Sequence, residues 1–215
     1  MIDLDPQANA TSGLGERANG TSTFDLLDGL PLREIARPTS FPNLDLVPSR
    51  PELAGAALEL SSRADGGHLL SEGLSALGSE YSFVFLDCPP SLGPLTVAGL
   101  AAADRVLVPV QAEYYALEGL AQLVRSVNLI RSRLNPSLSL AGILLTMVDG
   151  RTRLSAEVSA EVRKHFGKLV FRASVPRSVR LAEAPSHGLP VIAYDRRSAG
   201  AEAYWKVAME LVERA

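Results

Sequence analysis

Two short acidic segments carry the strongest chemical signal in this chain. Asp3-Leu4-Asp5-Pro6-Gln7 puts two carboxylates and a side-chain amide on one turn, groups that can orient a water or a metal ion. In Phe83-Val84-Phe85-Leu86-Asp87-Cys88-Pro89-Pro90 an aspartate closes an apolar run. Such an aspartate, at the end of a buried strand, can hold a Mg²⁺ shell directly or through water. The two prolines lack N–H donors and so end the strand and turn the chain out of the sheet. Taken singly, each aspartate also suits a helix cap or a loop. Other chemistries are poorly provided for. His68, His165 and His187 show no ligand spacing, which argues against zinc. The single cysteine, Cys88, cannot form an internal disulfide and reads as a small buried side chain in a reducing compartment. Gly13-Leu14-Gly15 reads as a turn, and no G-x-S-x-G serine-hydrolase pattern occurs.

The elements that must position these groups alternate strand and helix. Continuous apolar runs at Phe83–Leu86, Val106–Val110 and Ile143–Thr146 suit parallel strands buried on both faces. Leu44–Val47 is a weaker strand, and Ile2–Leu4 reads as the tail of another. Leu117, Leu120, Leu123, Val127, Ile130 and Leu134 follow helical spacing up to Pro136. Leu154, Val158, Val162 and Phe166 define a second helix ended by Gly167, and Tyr204, Val207 and Leu211 a terminal one. Helical crossovers between parallel strands imply an α/β sheet with helices on both faces, whose ligands bind at the carboxyl ends of the strands. Asp5 and Asp87 stand at two such ends.

The 215 residues are 47% apolar and 21% charged, enough for a sizeable buried core and unlike a disordered chain. The longest apolar run, Leu140–Val148, falls short of the roughly 18 residues that a membrane-spanning helix needs. Asp3 and Asp5 stand where a signal peptide would be basic, so a cytoplasmic protein is expected. The net charge of −3 conceals an asymmetry. Residues 1–149 carry 9 basic and 17 acidic side chains, residues 150–215 carry 12 and 7, and every lysine lies at or beyond Lys164. A basic C-terminal third can attract a polyanion, although a solvated surface without a partner is the simpler reading of charge alone.

Considered together, the segments carry a resemblance. Ile2-Asp3-Leu4-Asp5-Pro6-Gln7-Ala8-Asn9-Ala10-Thr11-Ser12-Gly13-Leu14-Gly15 resembles the switch I region of the ParA/Soj family of chromosome- and plasmid-partitioning ATPases. Phe85-Leu86-Asp87-Cys88-Pro89-Pro90-Ser91-Leu92 resembles that family's Walker B and switch II. Val108–Gly119 and Val175–Gly188 are similarly close, and the likeness runs in order from Ile2 to about Tyr204.

The resemblance implies a single ParA-like domain over residues 1–215. Its fold would be a doubly wound, mostly parallel α/β sheet of the deviant Walker A class of P-loop NTPases. It also implies ATP-dependent DNA segregation, in which ATP promotes a homodimer that binds DNA without sequence preference and a ParB-type partner stimulates hydrolysis. By motif, Asp87 would bind Mg²⁺ through water, Asp5 would help position the attacking water, and Pro6 and Gln7 would sense the γ-phosphate. Met147 and Pro176 would pack near adenine, and Arg177, Arg180, Arg196 and Arg197 would contact DNA phosphates. A cytoplasmic, nucleoid-associated protein follows. The single cysteine separates the chain from relatives of the nitrogenase iron-protein type, whose cluster needs cysteines. A membrane helix of the MinD type is not expected, because Glu202, Glu210 and Glu213 oppose Lys206 and Arg214 in the terminal segment.

One departure stands out. The family's lysine-bearing phosphate loop, with a strand before it and a helix after it, has no counterpart. The only Gly-Lys pair, Gly167-Lys168, is followed by Leu169, and no lysine precedes Lys164. The expectation is that Met1 is an internal residue of a longer protein or that the chain is a fragment. The alternative is a degenerate relative that binds DNA or a protein partner without hydrolysing ATP.

Overall fold

Short parallel strands joined through helices recur throughout the computed structural model, which describes residues 1–62 and 69–214. Chain contacts divide it into two compact units, Met1–Asp104 with Ser132–Pro136, and Arg105–Arg131 with Ser137–Ala215.

The first unit runs β1 (Ile2–Asp3), α1 (Asn9–Gly13), α2 (Thr23–Leu27), α3 (Leu32–Ile35), β2 (Arg37–Pro38), β3 (Asp45–Leu46), α4 (Leu53–Ser62), α5 (Leu69–Ser75), β4 (Leu86–Asp87) and α6 (Pro94–Ala102). β1 lies between two parallel neighbours. Its register with β4 pairs Ile2 with Leu86 and Asp3 with Asp87, and Ile2 bridges Val47 on the other side. β3, within the expected Leu44–Val47 strand, pairs antiparallel with β2, which the apolar pattern does not signal. Ile2, Leu4, Leu26, Ile35, Val47 and Leu70 form the core. α2 starts with a reciprocal cap, in which Ser22 Oγ accepts from the Phe24 amide and the Asp25 carboxylate accepts from the Ser22 amide. α6 packs tightly on the residues that follow β1 and β4, for a Cβ on Gly99 would stand 2.8 Å from Cys88 Sγ and 3.2 Å from Leu4 Cδ1.

The second unit holds β5 (Arg105–Gln111), most of α7 (Ala116–Arg133), β6 (Ser139–Thr146), α8 (Arg153–Phe166), α9 (Val179–Glu183), α10 (Val191–Tyr194) and α11 (Ala199–Arg214). β5 and β6 pair in parallel over seven residues, from Arg105 opposite Ser139 to Gln111 opposite Thr146. β6 is supported on its other side, where Phe171 N donates to Ile143 O at 2.8 Å and Val175 N to Leu145 O at 2.8 Å. Val108, Leu120, Ile143, Leu145, Val162 and Val170 make the core. α8 is capped by Thr152, ends at Gly167 in the left-handed region (φ +51°), and places Arg163, Lys164 and His165 where cations suit the helix dipole.

The expected strands and helices recur, with two corrections. Val106–Val110 lies within β5, yet only Val108 is buried and Pro109 is exposed, so this strand is not covered on both faces. Phe83–Leu86 does not form a strand buried on both faces. Only Leu86 joins the ladder, and Phe83, Val84 and Phe85 are 44%, 38% and 50% exposed. The reason lies in the register. Ile2 faces Leu86 and its amide donates to Phe85 O, so the ladder starts at Leu86, and among the described residues Phe83 and Val84 have no strand partner. The terminal helix packs as a structural element, with Val207 and Glu210 buried. No helix among the described residues is long and apolar enough to cross a membrane.

Candidate functional site

In the first unit, Asp5 and Asp87 emerge from adjacent parallel strands at their carboxyl ends. Leu4 N donates to Asp87 O at 2.8 Å, which ties the Asp5 loop to the end of β4. Asp5 opens a tight turn, its Oδ1 accepting from Gln7 N at 2.9 Å and its carbonyl from Ala8 N at 2.9 Å. Ala8 then takes a left-handed conformation (φ +53°), rare outside glycine, to start α1. Pro6 and Gln7 lie on the outside of this turn. Gln7 is exposed, and its side-chain amide has no partner among the described residues. Asp87 keeps an exposed surface, yet burial of its carboxyl, followed by the charges of Asp3 and Asp5, pushes it above the usual carboxylate range. The same burial, aided by Asp87, pushes the neighbouring Cys88 thiol up to about 11.

Asp3 behaves differently from the other carboxylates. It is 0% exposed, and its oxygens accept from Asp5 N at 3.0 Å, Thr11 N at 2.8 Å and Thr11 Oγ1 at 2.7 Å. It is thereby turned inward, and Asp5 and Asp87 are the carboxylates left to face a ligand. Among the described residues, no group of three or more His, Cys, Asp or Glu side chains is arranged as a metal site. Of the three histidines, His68 lies outside the described residues; His165 contacts Glu161 and His187 stacks on Tyr194.

The second unit contains a cleft of about 1000 Å³ at the carboxyl ends of β5 and β6. Met147 lines it, as do Asp149, Tyr114, Tyr115, Leu154 and Arg177. Met147 holds a left-handed conformation (φ +52°), which strains a non-glycine residue at the point where the chain leaves β6. Pro176 bridges Val148 in parallel and is not part of the lining. Asp149 accepts from Arg151 Nε at 2.9 Å and Nη2 at 2.8 Å, and the Arg151 side chain and amide hold its carboxyl well below the usual range. Neither residue is signalled by the sequence motifs. The available clue was a carboxylate and a guanidinium two positions apart, just past the apolar run of β6.

The four arginines expected at DNA fall into two pairs. Arg177 bonds Glu113 at 3.3 Å, and Arg180 bonds Glu183 at 2.9 Å and Asp195 at 3.4 Å. Arg196 and Arg197 are exposed and have no ion pair among the described residues.

Comparison with known proteins accounts for this arrangement. A family described as an AAA domain matches residues 1–140. The chromosome partitioning protein ParA of Myxococcus xanthus is 47% identical over 217 residues, covering 100% of this chain and 77% of that protein. The sporulation initiation inhibitor protein Soj of Bacillus subtilis is 47% identical over 214 residues, covering 98% of this chain and 85% of that protein. The chain belongs to the ParA/Soj family of chromosome-partitioning ATPases. Its ParA-like fold extends to solved structures. A cobyrinic acid a,c-diamide synthase from Mycobacterium smegmatis, solved with a bound ATP analogue and magnesium, superposes with a TM-score of 0.84 at 32% identity, covering 99% of this chain and 80% of that one. The α/β fold of the P-loop NTPase type is therefore shared, and that synthase has been solved with magnesium beside an ATP analogue and beside ADP.

Proposed function

We propose that the chain is a ParA-type partitioning protein, acting in ATP-dependent DNA segregation with a ParB-type partner. The observation that carries this reading is the pairing of Asp5 and Asp87 at adjacent strand ends, with the Asp87 carboxyl raised by burial, Asp3 and Asp5. A carboxylate in surroundings that disfavour its charge gains from a cation. Mg²⁺ needs one protein carboxylate when waters and phosphates complete its octahedron, so the lack of a three-ligand cluster is compatible with it. Asp87 would hold that ion through water, and when bound it would neutralise charge on the phosphates. Asp5 would orient the attacking water, and the exposed Gln7 with Pro6 would read the γ-phosphate. Met147 would pack near adenine, with Pro176 supporting it through Val148.

The donors for the phosphates themselves are another matter. Gly167-Lys168 lies on a 3-10 turn at the end of α8, not between a strand and a helix N-terminus. No G-x-x-x-x-G-K-[ST] loop occurs in these 215 residues. We therefore infer that the family's first strand, phosphate loop and first helix lie outside this sequence, and that the strand would pair along the side of β4 that has no neighbour among the described residues. The relatives support this, for each is longer than the part matched. In this reading the two units form one ParA-like domain over residues 1–215, cytoplasmic and nucleoid-associated, that dimerises when nucleotide is bound. The basic C-terminal third, with Arg177, Arg180, Arg196 and Arg197, would meet the DNA backbone.

A second reading, a module that binds DNA or a partner without hydrolysis, is favoured by one observation, the lack of a phosphate cradle. The test is phosphate release from ATP by the purified 215-residue protein. Positioning and charge stabilisation supply nearly all of phosphoryl-transfer catalysis, so no family-like rate is expected. Release that is stimulated by DNA and ParB and lost in Asp87→Ala would contradict the inference about the cradle.

A further inference from the structure

We propose that Asp3 is a positioning residue, a buried carboxylate that presets the loop bearing Asp5 and Gln7. The inference rests on the reading of those two side chains as the water- and phosphate-facing pair. One carboxylate holds both ends of the loop. Its Oδ1 takes the Asp5 amide at 3.0 Å, where the chain leaves β1, and its Oδ2 takes the Thr11 amide at 2.8 Å, inside α1. Between these anchors the backbone passes through the strained Ala8, a conformation that persists only where its surroundings over-determine it. The brace continues outward. Thr11 Oγ1 donates to Asp3 Oδ2 at 2.7 Å and accepts from Ser49 N at 3.0 Å, and Thr23 Oγ1 donates to the Asp3 carbonyl at 2.7 Å. Asp3, Thr11, Thr23 and Ser49 are all at most 2% exposed. Each bond is directed, and all but the part-buried one from the Asp5 amide are buried, so the network fixes a geometry where a hydrophobic contact would only hold the segments together.

The chemistry explains why a carboxylate is needed. An asparagine of equal size has one acceptor oxygen in place of two. It can hold the Asp5 amide or the Thr11 amide but must turn a donor toward the other. Asp3 also carries no exposed surface with which to meet a cation or a water itself. Its part is played through Asp5.

The experiment is residue-resolved amide hydrogen exchange by NMR on the 215-residue protein and on Asp3→Asn, Thr11→Val and Thr11→Ser. In Asp3→Asn, the Asp5 or Thr11 amide should exchange at least about tenfold faster, the scale of losing a bond to a charged acceptor. The Gln7 amide, bonded to Asp5, should follow. The Leu26 and Val47 amides of the same unit should be unchanged. Thr11→Val should loosen Ser49 and Thr11, and Thr11→Ser, which keeps the hydroxyl, should restore them. Unchanged Asp5, Gln7 and Thr11 amides in Asp3→Asn would overturn the proposal, as would a uniform loss across the first unit, which marks a merely structural role. If Asp3→Asn does not fold, the Thr11 pair decides, since equal behaviour of valine and serine would overturn it. Failure of the water-positioning reading has a separate signature, namely ATP hydrolysis unaffected by Asp5→Ala in a chain supplied with a phosphate loop.

Discussion

Phe83–Leu86 and Ile143–Thr146 look alike in the sequence and fold differently. Both are apolar runs that suit a buried parallel strand, yet the first contributes only Leu86 to a two-residue ladder, while the second lies within the eight-residue strand β6. β6 has β5 on one side and Phe171 and Val175 on the other. The Phe83–Leu86 run meets β1 at its last residues and leaves three apolar side chains in water. The contrast teaches that an apolar run states a capacity for pairing, and that the partner decides whether the capacity is used.

Filling space in the better-paired region should do the most harm. A Cβ on Gly142 would stand 2.5 Å from the Phe171 ring and 2.8 Å from Leu169 O, so Gly142→Ala should cost about 3 kcal/mol in chemical denaturation. Phe83→Ser, on the exposed run, should change stability by no more than about 0.5 kcal/mol. A similar cost for both would erase the contrast.

Next in size is the Cys88 thiol, just past the end of β4. With its titration pushed from 9.0 to about 11, the folded protein should react with a thiol reagent at pH 8 about a hundredfold more slowly than the denatured chain. The sign for stability is fixed as well. An unfolded chain ionises this thiol from about pH 9, whereas the folded one holds its proton until about 11, so stability should fall as pH rises through that interval. Cys88→Ala should flatten the fall in pH-dependent melting.

Placing the strand–loop–helix segment of a ParA/Soj relative ahead of Met1 should cover Phe83, Val84 and Phe85. Burying the exposed halves of three such side chains contributes about 2 kcal/mol, or roughly 4–8 °C in Tm. Aggregation or pairing of the unsupplemented chain through the side of β4 left unpaired among the described residues is expected to decline in parallel. Equal melting temperatures, with both proteins monomeric, would count against the strand's proposed place.

The smallest expected effect is at the basic surface. Binding to random duplex DNA should be weak, near 10⁻⁴ M at physiological salt, and blind to sequence. Arg196→Ala/Arg197→Ala should weaken it several-fold and flatten the salt slope by about one unit per lost phosphate contact. Arg177→Ala/Arg180→Ala should do less, because Glu113, Glu183 and Asp195 already engage those guanidinium groups. If both double variants bind like the parent, the DNA surface lies elsewhere.

Much of this molecule was legible in the sequence. Helical spacing located α7 and α8 to within a residue or two, since each apolar stripe finds the β5–β6 core, where Leu120 and Val162 are buried. Asp5 and Asp87 were legible because strand ends are marked by a change from apolar to charged. What the sequence concealed depends on contacts distant along the chain. Asp3 and Asp5 are the same residue type two positions apart, and only the fold turns Asp3 inward onto Thr11 and leaves Asp5 at the surface. Pro176 sits beside Val148 outside the cleft, and the Asp149–Arg151 pair borders it, because both depend on how the chain leaves β6.

The most direct test of the account is ATP hydrolysis by the chain carrying a relative's phosphate-loop segment, assayed with DNA and a ParB-type partner beside its Asp87→Ala variant. The account predicts phosphate release that is stimulated by both and abolished by the substitution, while the unsupplemented 215 residues stay silent. A supplemented chain that binds ATP but hydrolyses it equally well with and without the Asp87 carboxylate would contradict it.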